Sequence, residues 1–308
     1  MSTLDDRYLA YDKRRYGMDH ERYGWQPWPE RTKPRWPGDA KVALFVVPSL
    51  QWFPLDMTNH PFEVPGGMRT PYPDLRHYSL RDYGNRVGFY RFIRVFEELG
   101  VQPSVAVNAA IAERYPRLLR EVSSRGWEVI AHGVDMGHVH HGELDRETEA
   151  EWIAHALDVL RKATGQDVRG WLSIAKSESR HTPDLLTARG VDYTCDWNND
   201  DLPYPMRTES GPLWTLPHPH LTSDLHVLEH FKQTEESWVR QVCDHFDVMR
   251  REAGDGGRLV GLSLHPWITG QPHRIGAVRE ALAHCLARDD VWMATCSELI
   301  DHCRDALS

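Results

Sequence analysis

Short, continuous apolar runs recur along this chain, each followed by a stretch with helical periodicity. That alternation restricts the fold more than any other feature. Residues 41–47 read KVALFVV. A strand with no polar alternation must be covered on both faces, as in a parallel sheet flanked by helices. Similar runs occur at 103–107 (PSVAV), 128–132 (EVIAH), 170–173, 191–196 (VDYTCD), 259–265 (LVGLSLH) and 291–295 (VWMAT), with a weaker one at 213–216. Residues 85–99 place Val87, Phe92, Val95, Phe96 and Leu99 near helical spacing, with Gly100 as the stop. A second helix spans about 112–124 and is closed by Gly126. Asp145 caps a third, with Ile153, Leu157 and Leu160 on one face and Gly165 beyond its end. Thr182-Pro183 reads as a cap followed by proline in the first turn. Residues 234–252 and 275–287 are helical, and Ser297 is the expected cap of the last helix.

Seven or eight strand–helix units in one chain predict an α/β fold, a closed or nearly closed parallel barrel. A doubly wound open sheet competes, but it carries a glycine-rich phosphate loop after its first strand. Here that position reads VVPSLQWF, without glycine. The 308 residues fit one barrel domain over 41–308, preceded by an arm over 1–40 rich in Pro, Tyr and Trp. The proline content leaves little room for helix or strand there. Its aromatic residues favour packing on the barrel or on a neighbouring subunit over plain disorder, which makes a homo-oligomer an expectation.

The balance of 36 Lys and Arg against 45 Asp and Glu, a net charge of −9, argues against nucleic-acid or anionic-membrane partners, whose phosphates need cations. Five cysteines without a CxxC pair, no signal-like segment and no long apolar run predict reduced thiols in a cytoplasmic protein that acts on a small-molecule substrate.

In parallel barrels the chemistry sits where strands give way to loops. The third strand ends at His132, followed by Asp135. The fourth leads through Ser173 to Glu178, the fifth to Asp196 and Trp197, and the late buried strand to His265 and Trp267. Each has a plain reading too. A histidine ending a strand is often a loop residue bonded to a carbonyl, and Glu178, flanked by Lys176 and Arg180, reads equally as solvated. The convergence of several such groups on one rim favours a site. His138, His140 and His141 lie one or two residues apart with no nearby cysteine, and a structural or surface role fits them better than metal binding.

Several long strings carry a resemblance: YGNRVGFYRF (83–92), AHGVDM (131–136), RGWLSIAKSES (169–179), CDWNNDDLPYPM (195–206) and LHPWITGQPHRI (264–275). In these the chain resembles the polysaccharide-deacetylase (NodB-homology) superfamily, particularly its branch of cofactor-independent allantoinases and cyclic-imide hydrolases. The resemblance implies a distorted (β/α)7–8 barrel, hydrolysis of a carbon–nitrogen bond other than a peptide bond, and often a homo-oligomer. Metal-dependent members hold a divalent ion through an Asp after the first strand and a His-x-x-x-His pair after the third. Here Ser49 stands about where that Asp falls, the pair becomes His132 and Met136, and Val47 is the nearest match to the catalytic Asp. One imidazole does not hold zinc well, so no metal or other cofactor is expected, with zinc as the alternative.

The leading expectation is a hydrolase that opens a small cyclic amide, imide or ureide by attack of water at a carbonyl. Such a reaction needs a base, an oxyanion stabiliser and an acid for the leaving nitrogen. His132 and His265 are the candidates for acid and base, with Glu178 or Asp196 orienting an imidazole or taking the water proton. Arg86 or Arg274, or backbone N–H groups after His132, are candidates for the oxyanion. Trp171, Trp197 and Trp267 would wall a flat ring, with Asp135, Gln271 and His273 as further substrate contacts. Two alternatives stand beside this reading. One is a metal-dependent deacetylase of N-acetyl sugars with altered ligands drawn from Asp135, His138 or His140. The other is a barrel that binds a small molecule without turning it over.

Overall fold

The structure is a computed structural model that describes residues 20–57 and 73–307. Among these residues nine strands form a single curled sheet: β1 (Val42–Leu50), β2 (Ser104–Val107), β3 (Glu128–Ala131), β4 (Gly170–Trp171), β5 (Tyr193–Thr194), β6 (Tyr204–Thr208), β7 (Gly211–Thr215), β8 (Arg258–Leu264) and β9 (Val291–Met293). Their order is β6-β7-β5-β4-β3-β2-β1-β8, with β9 also paired to β1. Every pairing is parallel except the β6–β7 hairpin. From β1 to β5 the strands follow chain order around a distorted barrel, β7 with its hairpin partner β6 comes next, and none of the described pairings joins β7 to β8. The expected barrel class holds, and the open-sheet alternative does not.

The interior follows from the two-residue period of β1. Val42, Leu44 and Val46 belong to the larger apolar cluster, shared with the surrounding helices, while Ala43, Phe45 and Val47 belong to a second cluster with Ile130, Leu172, Tyr193 and Trp214. The next residue in the second register is Ser49. On β8 the same register runs Leu259, Gly261, Ser263 and then His265. A Cβ at Gly261 would come within 2.4 Å of the Phe45 ring and 2.8 Å of Pro219, so glycine here makes room for the large side chain that fills the barrel below the site. The inward positions change from apolar to polar at the carboxyl ends of the strands, and this change opens the site.

Several expectations hold in detail. Asp145 accepts a hydrogen bond from the Thr148 N–H at 2.9 Å and Gly165 closes that helix (Arg146–Thr164) in the left-handed conformation. Thr234 caps the helix Glu235–Glu252. Others need correction. The first strand runs on to Leu50, because its last two residues leave β8 and pair with β2. The helix expected from residue 85 is preceded by Leu75–Tyr83, and a π-helical turn, Gly84–Gly88, joins it to Phe89–Leu99. This turn lies tight against the loop after β8, where a Cβ at Gly88 would meet the Pro266 carbonyl oxygen. β6 was not apparent in the sequence. The last helix is Cys296–Leu307, and Ser297 hydrogen-bonds Glu128 instead of capping it, while Glu298 accepts the Thr295 N–H.

Residues 1–19 of the expected arm lie outside the described residues. In its second half, Trp36 is buried and donates its indole N–H to the Arg258 carbonyl at 2.7 Å, and Arg22 forms a two-pronged ion pair with Asp184. Among the described residues no helix is long and apolar enough to cross a membrane.

Candidate active site

At the carboxyl ends of β1, β3, β4, β7 and β8 the polar inward residues enclose a cavity of about 210 Å³. Ser49 and Gln51 come from the end of β1 and the residues after it, His132 from beyond β3, Ser173 and Lys176 from beyond β4, His218 and His220 from beyond β7, and Ser263 and His265 from β8 and its end. Larger surface clefts of about 750 and 800 Å³ lie elsewhere. They hold arginine, tyrosine and carboxylate side chains already engaged with one another, and the cavity of histidines is the better candidate.

His265 is fixed by Asp224. The carboxylate accepts four hydrogen bonds: from His265 Nδ1 at 2.7 Å, the His265 backbone N–H at 2.8 Å, the Thr269 hydroxyl at 2.6 Å and the Leu225 N–H at 2.8 Å. Asp224 is fully buried. Because it accepts from Nδ1, the neutral ring keeps its proton there and has its lone pair on Nε2. This is the arrangement of an orienting carboxylate and an acid–base imidazole.

His132 is held differently. Its Nδ1 lies 2.6 Å from the Leu172 carbonyl oxygen, which can only accept, so Nδ1 carries the proton. Nε2 then accepts from the Gln51 amide at 3.2 Å. Burial lowers the His132 pKa to about 4, outweighing the Leu172 bond, and the nearby His265 lowers it further. His132 is therefore neutral at pH 7. Behind it, Asn108 donates to the His132 carbonyl and accepts from the Trp52 N–H at 2.8 Å, and Asn85 donates to the Gln51 carbonyl. His218 is buried, and neither of its ring nitrogens has a hydrogen-bond partner among the described residues. Burial holds it neutral, with the neighbouring Lys176 and imidazoles acting in the same direction.

Of the residues expected from sequence, His132 and His265 meet in this cavity. Asp196 lies behind it, accepting from the Ser173 N–H and the Thr194 hydroxyl, each at 2.8 Å. Glu178 accepts from the Trp197 indole at 3.0 Å and lines a separate cleft with Arg22 and Arg146. Burial and the charge of Asp196 raise the Glu178 pKa well above the usual carboxylate range. The roles sketched for these two carboxyl groups are corrected accordingly: the group that orients His265 is Asp224, and the one that orients His132 is a backbone carbonyl.

The expected substrate contacts are dispersed. Trp171 is fully buried, with its indole N–H on the Ser173 hydroxyl. Trp267 is buried under the Arg81 guanidinium, which lies 3.6 Å from its ring centroid. Trp197 packs edge-on to His20 and Tyr23. Arg86 lines another depression with Tyr90 and Arg114. Asp135 accepts from the Gly137 N–H and from His138. Gln271 donates to the Trp267 carbonyl at 3.4 Å, His273 is exposed, and Arg274 is committed to Glu229 and Glu235, each at 2.8 Å.

Sequence reasoning missed Asp224, Gln51, His218 and Lys176. Asp224 stands 41 residues before His265 in TSDLHVLEH, and its one local signal is that of a cap at the start of the π-helical segment Leu225–His230. That role is real, and the second one shows only in three dimensions.

The donor set of metal-dependent members is not reproduced. Ser49 offers a hydroxyl, and Met136 is buried among Phe53, Met57 and Ile174. The lone-pair nitrogen of His132 faces an amide donor. Among the described residues no three His, Cys, Asp or Glu side chains gather as a metal site. These residues do not fit the divalent ion of that mechanism.

Comparison with known proteins agrees with this architecture. Residues 78–193 match the polysaccharide deacetylase family model. A candidate polysaccharide deacetylase of Schizosaccharomyces pombe is 25% identical over 297 residues, covering 87% of this chain and 91% of that protein. Among solved structures, PuuE allantoinase superposes with a TM-score of 0.80 at 24% identity, covering 92% of this chain and 95% of its own. A probable polysaccharide deacetylase from Pseudomonas aeruginosa PAO1 gives a TM-score of 0.77 at 25% identity over 96% and 97% of the two chains.

Proposed function

We propose that this chain, which carries a polysaccharide-deacetylase domain of the NodB type, is a hydrolase that opens a small cyclic amide, imide or ureide with its own side chains in place of a metal ion. The observation that carries this reading is the Asp224–His265 pair, whose imidazole lines a small cavity rich in neutral hydrogen-bond donors.

The chemistry follows from the tautomers. Water enters beside His265 Nε2, which takes one proton as its oxygen bonds to the substrate carbonyl carbon. The imidazolium is stabilised by Asp224 across the 2.7 Å contact. Negative charge develops on the carbonyl oxygen, and the second N–H of the Gln51 amide supplies a donor for it. Collapse of this intermediate breaks the carbon–nitrogen bond, and the proton on His265 passes to the leaving nitrogen. The ring opens to an amine, carboxamide or urea nitrogen and a carboxyl group. His132 keeps its lone-pair nitrogen on Gln51 and so holds the amide toward the cavity.

Size supports a small substrate. About 210 Å³ lies below the range usual for drug-sized ligands and leaves little space for a polymer. The structural likeness to an allantoinase supports a ring of that size. The test is turnover on a panel of allantoin, succinimide, dihydrouracil and N-acetylglucosamine oligomers. Opening of one cyclic member, with no acetate released from the sugars, is the expected result. Acetate release alone would defeat the reading.

A further inference from the structure

Lys176 reaches the cavity by an unusual backbone path. Ala175 and Lys176 both have φ of 55°, the left-handed region that non-glycine residues enter only at an energetic cost. Two such residues in succession turn the chain after β4 back toward the barrel mouth. Without that turn, a lysine between Ala175 and Ser177 would be free to extend into solvent.

The ammonium it delivers has neutral partners. Nζ donates to the His218 carbonyl at 2.6 Å and to Asn198 Oδ1 at 3.2 Å. Among the described residues Lys176 has no ion pair within 4.0 Å. The carboxylate that bears on it, Asp196, is already bonded to Ser173, Thr194 and Glu178. No Asp or Glu lines the cavity, whose other titratable groups are His132, His218, His220 and His265. A partly desolvated cation with neutral partners is costly unless something supplies the opposite charge. An ammonium has three donors, and two are used. Beside it stands His218, buried and with both ring nitrogens unpartnered among the described residues.

We infer that Lys176 is an anion anchor and that the substrate of this cavity carries a carboxylate, held by the third Lys176 donor and an N–H of His218. This rests on the ring-opening reading for the identity of the reacting group, and adds that the ring is acidic, such as a cyclic ureide bearing a carboxylate. Lys176 is then a specificity residue. Burial lowers its pKa to about 8, so it is mostly charged at pH 7 and loses its charge as pH rises through that value.

The test uses two probes that share one ring, dihydroorotate with a carboxylate and dihydrouracil without, and measures their binding to the full chain by calorimetry. Dihydroorotate is expected to bind at least about tenfold more tightly at pH 7. That preference should shrink as pH rises past about 8, survive in Lys176→Arg and vanish in Lys176→Met. Equal affinities in the unaltered protein, failure of dihydroorotate to bind at millimolar concentration, or a preference that persists in Lys176→Met would each overturn the anchor. Binding is read apart from turnover. A tight carboxylate ligand that is never opened therefore upholds the anchor while defeating the ring-opening reading.

Discussion

Two buried histidine–carboxylate pairs stand in this barrel, alike in chemistry and different in what surrounds them. His265 Nδ1 lies 2.7 Å from Asp224, and His140 Nδ1 lies 2.9 Å from Glu149. Both carboxylates are fully buried and receive further hydroxyl donors, Thr269 on Asp224, and Ser179 and Thr182 on Glu149. The difference is the second ring nitrogen. His265 lines the cavity, whereas His140 Nε2 is sealed, without a partner among the described residues, under a ring set edge-on to Trp152 and Trp171. A histidine–carboxylate pair is a catalytic device only where the far nitrogen meets ligand space. Elsewhere it is a tie, here joining the helix Arg146–Thr164 to the loops after β3 and β4.

The largest effect that can break this comparison is on turnover. His265→Ala is expected to lower kcat/KM by about 10²–10⁴-fold, the usual span of general acid–base catalysis. The melting temperature should change little, since Asp224 keeps the His265 backbone N–H, the Leu225 N–H and the Thr269 hydroxyl. Steady-state kinetics beside thermal melts would expose the opposite pattern.

Glu149→Ala should act in reverse. It strands His140, Ser179 and Thr182 at a cost of roughly 3–5 kcal/mol in stability, while kcat per folded molecule stays within a few-fold, as denaturant titration and active-site counting would report. Burial would raise the Glu149 pKa, but its bonds from His140, Ser179 and Thr182 bring it below the usual value. This pair's stabilisation is therefore complete at neutral pH and lost as pH falls through the folded-state pKa.

A third expectation concerns His132. Its pKa in the fold is about 4, against about 6.5 unfolded. Between those values the unfolded chain takes a proton that the fold refuses. Stability is then complete above about pH 6.5 and declines as pH falls, by up to roughly 3 kcal/mol at pH 4. Urea titrations at pH 7 and pH 5 should show this loss reduced in His132→Asn. An equal loss in both proteins would place the acid sensitivity elsewhere. The smallest effect is on Arg274, whose ion pairs with Glu229 and Glu235 lie away from the cavity. Arg274→Ala should cost no more than about 1 kcal/mol and leave kcat/KM within about twofold. A larger loss of activity would return it to the site.

The difference between the two pairs also explains what the sequence made legible. Apolar runs and capping residues marked the strands and most helices, because burial and backbone hydrogen bonding leave local traces. His132 and His265 were visible because each follows directly on a mostly apolar strand run. Asp224 was hidden, since a carboxylate beside a helix start reads as a cap whether or not a histidine from another strand lies against it. Lys176 was hidden because neither its left-handed backbone nor the turn into the cavity has a residue signature such as glycine. The tryptophans misled for the opposite reason. Trp171 and Trp267 are large and near the rim in sequence, but burial consumed them as core. Glu178 and Asp196 follow their strands as expected, yet the loops carry one into another cleft and the other behind the wall.

The central claim is that imidazoles and amides drive the reaction, with no divalent ion. The most direct test is ring opening of the preferred cyclic substrate by protein stripped with chelator, its metal content checked by elemental analysis. The rate should be unchanged by stripping and by added zinc. A rate that collapses on stripping and returns with one zinc per chain would contradict it.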